Sequence, residues 1–100
     1  MTVDELRKSP MMAHLLDALD AGKDIGHYGR LVFAMVARHF MEERELVSTL
    51  EKNPGFSEDD AWALCLQVQR HDYSPPTRER IAEWQRHQDF PICPNPQDPD

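Results

Sequence analysis

Apolar residues recur at helical spacing along the chain, in stretches separated by glycine, proline and capping residues. A short first turn is predicted behind Thr2, ending before the first proline. The next stretch begins at Ser9, which suits an N-cap, and Pro10, which suits the first helical position. Gly22 is a natural C-cap, so the pattern predicts a helix over residues 10–21.

Residues 27–40 form the most apolar stretch of the chain and are apolar nearly all the way round. Only Arg30, Arg38 and His39 interrupt the apolar positions towards the middle and end of the stretch. A helix that is apolar on all sides is typically buried on all sides. We therefore predict that residues 27–40 are the buried central helix of the fold.

Three further helices are predicted after the central one. Leu46 and Leu50 share a face within residues 42–51, and the sequence Asn-Pro-Gly at 53–55 ends that helix. An acidic segment that begins at Ser57 resembles a capping box and opens a helix that runs to about residue 70. Ile81 and Trp84, three apart, mark the inner face of a last helix over residues 77–88.

The predicted fold is all-α: a small bundle of about five short helices with a buried central helix. No stretch alternates between apolar and polar residues at period two, so no sheet is expected. One hundred residues fit one domain, which we place at residues 1–90. Residues 91–100 are rich in proline and have no periodicity, so they are predicted to form an extended or flexible tail.

Charge and hydropathy narrow the range of functions. The formal net charge of −7 disfavours non-specific binding to nucleic acid or to an anionic membrane, so any such binding needs a local basic patch. No apolar run approaches the roughly 18 residues that a membrane span requires. The first residues carry no basic and apolar leader, and two cysteines make no disulfide framework. We expect a cytoplasmic protein with no membrane partner.

The candidate residues for enzyme chemistry are few. Cys65 lies on an apolar helix face and is expected in the core. Cys93 lies in a proline-rich segment, where three interpretations stay open: an inert thiol, which is favoured, a metal or cluster ligand, or a catalytic thiol. The five histidines do not pair at i, i+4 spacing on one helix, and no phosphate-binding loop or zinc signature occurs. We therefore expect neither a metal site nor an enzyme.

Positive charge gathers at a junction between a loop and the central helix. His27 and Arg30 lie three apart at the start of that helix, where free backbone N–H groups also favour an anion. This corner is a candidate phosphate site. The structural interpretation is that Arg30 pairs with a nearby acid such as Asp24 and that the other charges form a solvated face.

A second candidate segment follows the fourth long helix. Arg70 and His71 stand beside Tyr73, whose ring is suited to stack on a nucleic-acid base. Alternatively, the tyrosine fills the gap between two helices.

Three short stretches resemble, in the same order, the C-terminal iron–sulfur domain of the archaeal and eukaryotic DNA primase large subunit. They are Ser-Pro-Met-Met with His-Leu-Leu (residues 9–16), Asp-Ile-Gly-His-Tyr-Gly-Arg (24–30) and Arg-His-Asp-Tyr-Ser-Pro-Pro-Thr (70–77). A Cys-Pro at 93–94 matches a later one in that domain. The resemblance implies a domain that does no phosphoryl transfer itself and binds nucleotide phosphates and template. The contacts that it implies here are His27, Arg30, Arg70, His71 and Tyr73.

The chain departs from that family at the iron–sulfur cluster. Met11 and Arg78 occupy the positions of two cluster cysteines, and only Cys93 matches a third. Because such a cluster requires about four thiolates, no iron–sulfur cofactor is expected. The predicted function is a non-catalytic module that binds nucleotide phosphate or nucleic acid, single-stranded or primer–template. The alternative is an acidic helical domain that binds another protein as an adaptor. An enzyme that uses Cys93 is the third interpretation.

Overall fold

The computed structural model describes residues 3–71 and 76–92, with His71 described by its backbone alone. Across these ranges the chain forms six helices and no strand, which confirms the all-α bundle. They are α1 (Val3–Leu6), α2 (Pro10–Asp20), α3 (Gly26–Ala37), α4 (Glu43–Leu50), α5 (Glu58–His71) and α6 (Arg78–Gln85). The single turn α1 is the short first turn of the prediction. None of the described helices is both long and apolar enough to cross a membrane.

Local caps fix the starts of two predicted helices. The Ser9 hydroxyl accepts a hydrogen bond from the Met12 N–H at 3.4 Å, and Pro10 follows in the first helical position of α2. Ser57 and Asp60 form a reciprocal capping box at α5, in which each backbone N–H donates to the other side chain, at 3.2 and 3.1 Å. These caps confirm the predicted starts of α2 and α5.

Two helices end earlier than predicted. α3 stops at Ala37, because the N–H groups of His39 and Phe40 bond to carbonyls three residues back and tighten the chain into a turn. This turn brings Met41 into the core. α6 stops at Gln85 through similar three-residue bonds. Both turns move the chain off the helix axis sooner than hydrophobic periodicity indicates.

α3 is the centre of the bundle and contacts α2, α4, α5 and α6. Val32, Phe33 and Ala34 in its middle have no exposed surface, which confirms the buried central helix. Its first turn is different, because His27 is exposed and Arg30 is only partly buried. The start of α3 is therefore the part of the central helix that reaches the surface.

The packed chain continues past residue 90. Ile92 is fully buried, and the ring of Phe90 stacks on His14 of α2 with centroids 5.2 Å apart. The Pro91 carbonyl lies 2.9 Å from the His14 Nε2 atom. Residues 93–100 of the predicted tail lie outside the described residues.

Candidate nucleic-acid interface

Arg30 is held by its own chain at the start of α3. Its guanidinium donates to the Asp24 carboxylate at 3.1 Å and lies 4.6 Å above the centre of the Phe56 ring. The Arg30 side chain is 18% exposed. Asp24 also accepts from the Gly26 N–H, and this bond, with a smaller contribution from Arg30, keeps the pKa of Asp24 below its usual value. Arg30 therefore pairs with Asp24 in the fold, as the structural interpretation predicts.

The backbone N–H groups at the start of α3 are also largely engaged. The Ile25 N–H donates to the Asn53 side chain at 2.8 Å, and the Tyr28 N–H donates to the Gln88 side chain at 2.9 Å. Together with the Gly26 N–H, three donors of this corner are satisfied within the chain. A phosphate at this helix start would have to displace them.

The other predicted contacts divide between described and undescribed residues. His27 is exposed, and its ring meets the Tyr28 ring edge-on at 5.1 Å. Arg70 is exposed near the end of α5. Cys65 and Gln69, in the second half of α5, line a cavity with Arg38 and His39 at the end of α3.

The end of α5 that carries Arg70 therefore lies beside the end of α3, away from His27 and Arg30. The structure brings His27 and Arg30 onto one turn. The side chain of His71 and the whole of Tyr73 lie outside the described residues.

An aromatic contact between α3 and α6 was missed by sequence reasoning. The rings of Tyr28 and Trp84 are stacked, with centroids 5.5 Å apart and planes 15° apart. The Arg80 guanidinium lies 5.9 Å from the centre of the Trp84 ring, one helical turn away on α6. Together with His27, which meets Tyr28 edge-on, they form a row of four planar side chains in which Tyr28 and Trp84 are the stacked pair. We call this row the stacked row: His27, Tyr28, Trp84 and Arg80. The i, i+4 spacing of Arg80 and Trp84 is the only signal of it in the sequence.

The stacked row lies beside exposed positive charge. Its two ends, His27 and Arg80, are exposed, whereas Tyr28 and Trp84 are half-buried. Arg78, Arg86 and His87 on or next to α6 are exposed as well. The site offers aromatic rings and cations at the surface.

Cys65 is confirmed as a core residue and is poorly suited to chemistry. It is 2% exposed, and burial, helped by the nearby Glu43 charge, raises the pKa of its thiol to about 11. It lines a cavity of about 160 Å³ where the end of α3, α4 and α5 meet. Cys93 lies outside the described residues, and within the described ranges no three His, Cys, Asp or Glu side chains are placed to hold a metal ion.

The buried thiol is expected to resist modification in the native protein. In a Cys93→Ser variant, Cys65 is the only thiol, and a thiol reagent at pH 7.5 should label it at least tenfold more slowly than a free cysteine, because only the thiolate reacts. Stopped-flow absorbance with a chromogenic disulfide measures the rate. The same protein in guanidinium serves as the control and should label at the free rate. Fast native labelling would contradict the burial of Cys65.

Arg30 is expected to contribute to stability. Arg30→Ala removes the ion pair with Asp24 and the contact with Phe56, and should lower the free energy of unfolding by about 1 kcal/mol. Urea denaturation followed by circular dichroism measures the loss. Arg44→Ala, at an exposed position on α4, is the matched control and should change stability by less than about 0.5 kcal/mol. Equal losses in the two variants would exclude a structural role for Arg30.

Comparison with models of protein families, with curated proteins and with solved structures finds no match for this chain. The class that the fold defines is a small all-α bundle. The resemblance to the primase large-subunit domain stays a prediction, carried only by the short stretches in which it was seen.

Proposed function

We propose that this domain is a non-catalytic module that binds nucleic acid or nucleotide phosphates on the surface formed by the start of α3 and by α6. The stacked row is the observation that carries the proposal. Its exposed ends, a histidine ring and a guanidinium, are planar groups of the kind that stack on bases, and every base offers such a face. The resemblance to a primase domain agrees with this function but supplies no independent support.

The charge around the row favours an anionic ligand locally, in spite of the net charge of −7. Arg80 and Trp84 lie four residues apart and share one face of α6, and Arg78 and Arg86 are exposed on the same helix or directly after it. Two acids, Glu79 and Glu83, are exposed on the same helix, and Glu83 lies three residues after Arg80 on an adjoining position. Because three arginines outnumber two acids over residues 78–86, phosphates next to a stacked base would meet a small net positive charge.

The test is fluorescence anisotropy of a labelled single strand and a labelled primer–template, at low and at physiological salt. We expect binding that weakens as salt rises, because phosphate contacts release counterions. His27→Ala should weaken binding several-fold, and His39→Ala, at the opposite end of α3, is the matched control and should bind as the parent does. No binding by the parent at high micromolar concentration would overturn the proposal.

A second candidate function is an adaptor that binds another protein. It is favoured by Leu66 on α5, whose side chain is 56% exposed and is the one large hydrophobic residue at the surface of the described ranges. The overall acidic charge also suits a basic protein partner. Sedimentation equilibrium discriminates the candidates: a stable oligomer that is indifferent to nucleic acid would favour the adaptor, and a monomer that binds a strand would favour the module.

A further inference from the structure

Resting on the proposed function, we infer that the ligand is single-stranded nucleic acid held through its unpaired bases on the stacked row, with Arg80 as the main charged contact. The phosphate corner at the start of α3 is not the recognition element. Among the ligands that the proposed function allows, the ligand is therefore a single strand. The arginine that matters most for binding is Arg80 on α6, not Arg30 on α3.

Three backbone donors and the Arg30 guanidinium at the α3 corner are satisfied by the chain itself. The Asp24 carboxylate accepts hydrogen bonds from the Gly26 N–H and the Arg30 guanidinium, at 2.9 and 3.1 Å. The Gln88 side chain accepts one from the Tyr28 N–H. A phosphate that bound there would break several of these bonds and would also sit beside the Asp24 carboxylate. Capture of a free phosphate or of a mononucleotide through its phosphates is therefore disfavoured at this corner.

At the two ends of the stacked row, no acid or hydrogen-bond partner among the described residues occupies the exposed side chain. Arg80 and His27 are both exposed and both planar, and each lies against the half-buried ring next to it. A base that stacks on Arg80 would continue the Tyr28–Trp84 stack, and His27, which meets Tyr28 edge-on, offers its own ring face. Because the inner rings Tyr28 and Trp84 are fixed by packing against each other, little side-chain freedom is lost on binding.

Stacking of this kind requires bases with open faces. In a duplex the base faces are covered by the neighbouring base pairs, so a protein surface reaches only the edges and the backbone. In a single strand the bases are free to stack on protein groups, and arginines near them contact the phosphates between. The geometry therefore favours a strand of several unpaired nucleotides over a duplex or a lone nucleotide.

The experiment compares four ligands of the parent protein at one salt concentration. They are a labelled thymidine 12-mer, an abasic 12-mer with the same phosphates, the 12-mer annealed to its complement, and adenosine triphosphate as a competitor. We expect the thymidine strand to bind at least tenfold more tightly than the abasic strand and the duplex, which corresponds to the loss of one stacked base. Adenosine triphosphate should displace the strand only at far higher concentration.

Three protein variants locate the contact. Arg80→Gln should weaken binding of the thymidine strand at least fivefold, and Arg44→Gln, which removes the same charge from α4, should leave it unchanged. In a Trp62→Phe chain, Trp84 is the only tryptophan, and its fluorescence should be quenched by the thymidine strand and not by the abasic one. Quenching reports on Trp84 itself, which a general loss of charge would not change.

The outcomes separate the inference from the function on which it rests. Equal binding of the thymidine and abasic strands would overturn the inference and leave the proposed function standing as phosphate recognition. The same conclusion would follow if Arg30→Ala abolished binding while Arg80→Gln bound as the parent does. Failure of all four ligands to bind would overturn both. Tenfold preference for the thymidine strand with quenching of Trp84 would establish the stacked row as the binding surface.

Discussion

Replacing Asn53 with leucine is expected to lower the free energy of unfolding by about 2–4 kcal/mol, because two buried hydrogen bonds are lost together. Asn53 is 1% exposed. Its carbonyl oxygen accepts from the Ile25 N–H at 2.8 Å, and its amide donates to the Pro54 carbonyl at 3.0 Å. Leucine has a similar size but neither group, so the buried Ile25 N–H would have no partner.

Thermal and urea denaturation measure this loss, and the melting temperature should fall by about 10 °C or more for a domain of this size. The matched control is Lys52→Ala at the preceding position. Lys52 is half-exposed and bonds Asp20 at the surface, so its loss should cost at most about 1 kcal/mol. If the two variants lost equal stability, the link between Asn53 and Ile25 would not contribute to the fold.

The parts of the fold that the sequence predicts are those set by neighbours in the chain. Ser9 and Ser57 cap helices by hydrogen bonds to groups three residues away. The apolar run of α3 is enough by itself to predict a buried helix. Arg30 and Asp24 are only six residues apart, so the sequence also predicts their pairing, as one of two interpretations. Short-range hydrogen bonds need only the local sequence.

The parts that sequence reasoning missed depend on residues far apart in the chain. The sequence predicts Asn53 only as part of a turn that ends α4, whereas its bond to Ile25 spans 28 residues. The sequence predicts Gln88 at the end of the last helix, whereas it bonds across 60 and 63 residues to Tyr28 and Ile25. The stack of Tyr28 on Trp84 joins the same two distant segments. The sequence around a polar or aromatic residue does not indicate which distant residue it will contact.

The stability of the α3 start and the proposed binding surface depend on adjacent residues. Asp24, Asn53 and Gln88 satisfy the backbone of this turn, whereas His27 and Arg80 lie exposed at the ends of the stacked row. A substitution in the first group changes binding by moving the turn, and one in the second group leaves the turn intact. Variants of the second group therefore report on binding directly, whereas variants of the first group need a parallel measurement of stability.

Gly26→Ala is expected to cost about 3 kcal/mol, through backbone strain and through loss of the Gln88 contacts. Gly26 has φ +81°, a left-handed conformation that an L side chain rarely adopts, and a Cβ there would collide with the Gln88 side-chain amide. That amide donates to the Ile25 and Phe90 carbonyls, both at 2.8 Å, and its oxygen accepts from the Tyr28 N–H. Displacing it would loosen the junction between α3 and the end of the described chain.

Gly22→Ala separates the two contributions, because Gly22 has φ +74° but open space around it, so only the backbone strain of about 1 kcal/mol applies. Urea denaturation of Gly26→Ala, Gln88→Ala and the double variant then completes the comparison. In the Gln88→Ala background the Gly26 substitution should cost no more than Gly22→Ala does, because the side chain that it collides with is gone. If Gly26→Ala cost the same with and without Gln88, the collision would have no effect, and strain alone would explain why glycine is needed at the start of α3.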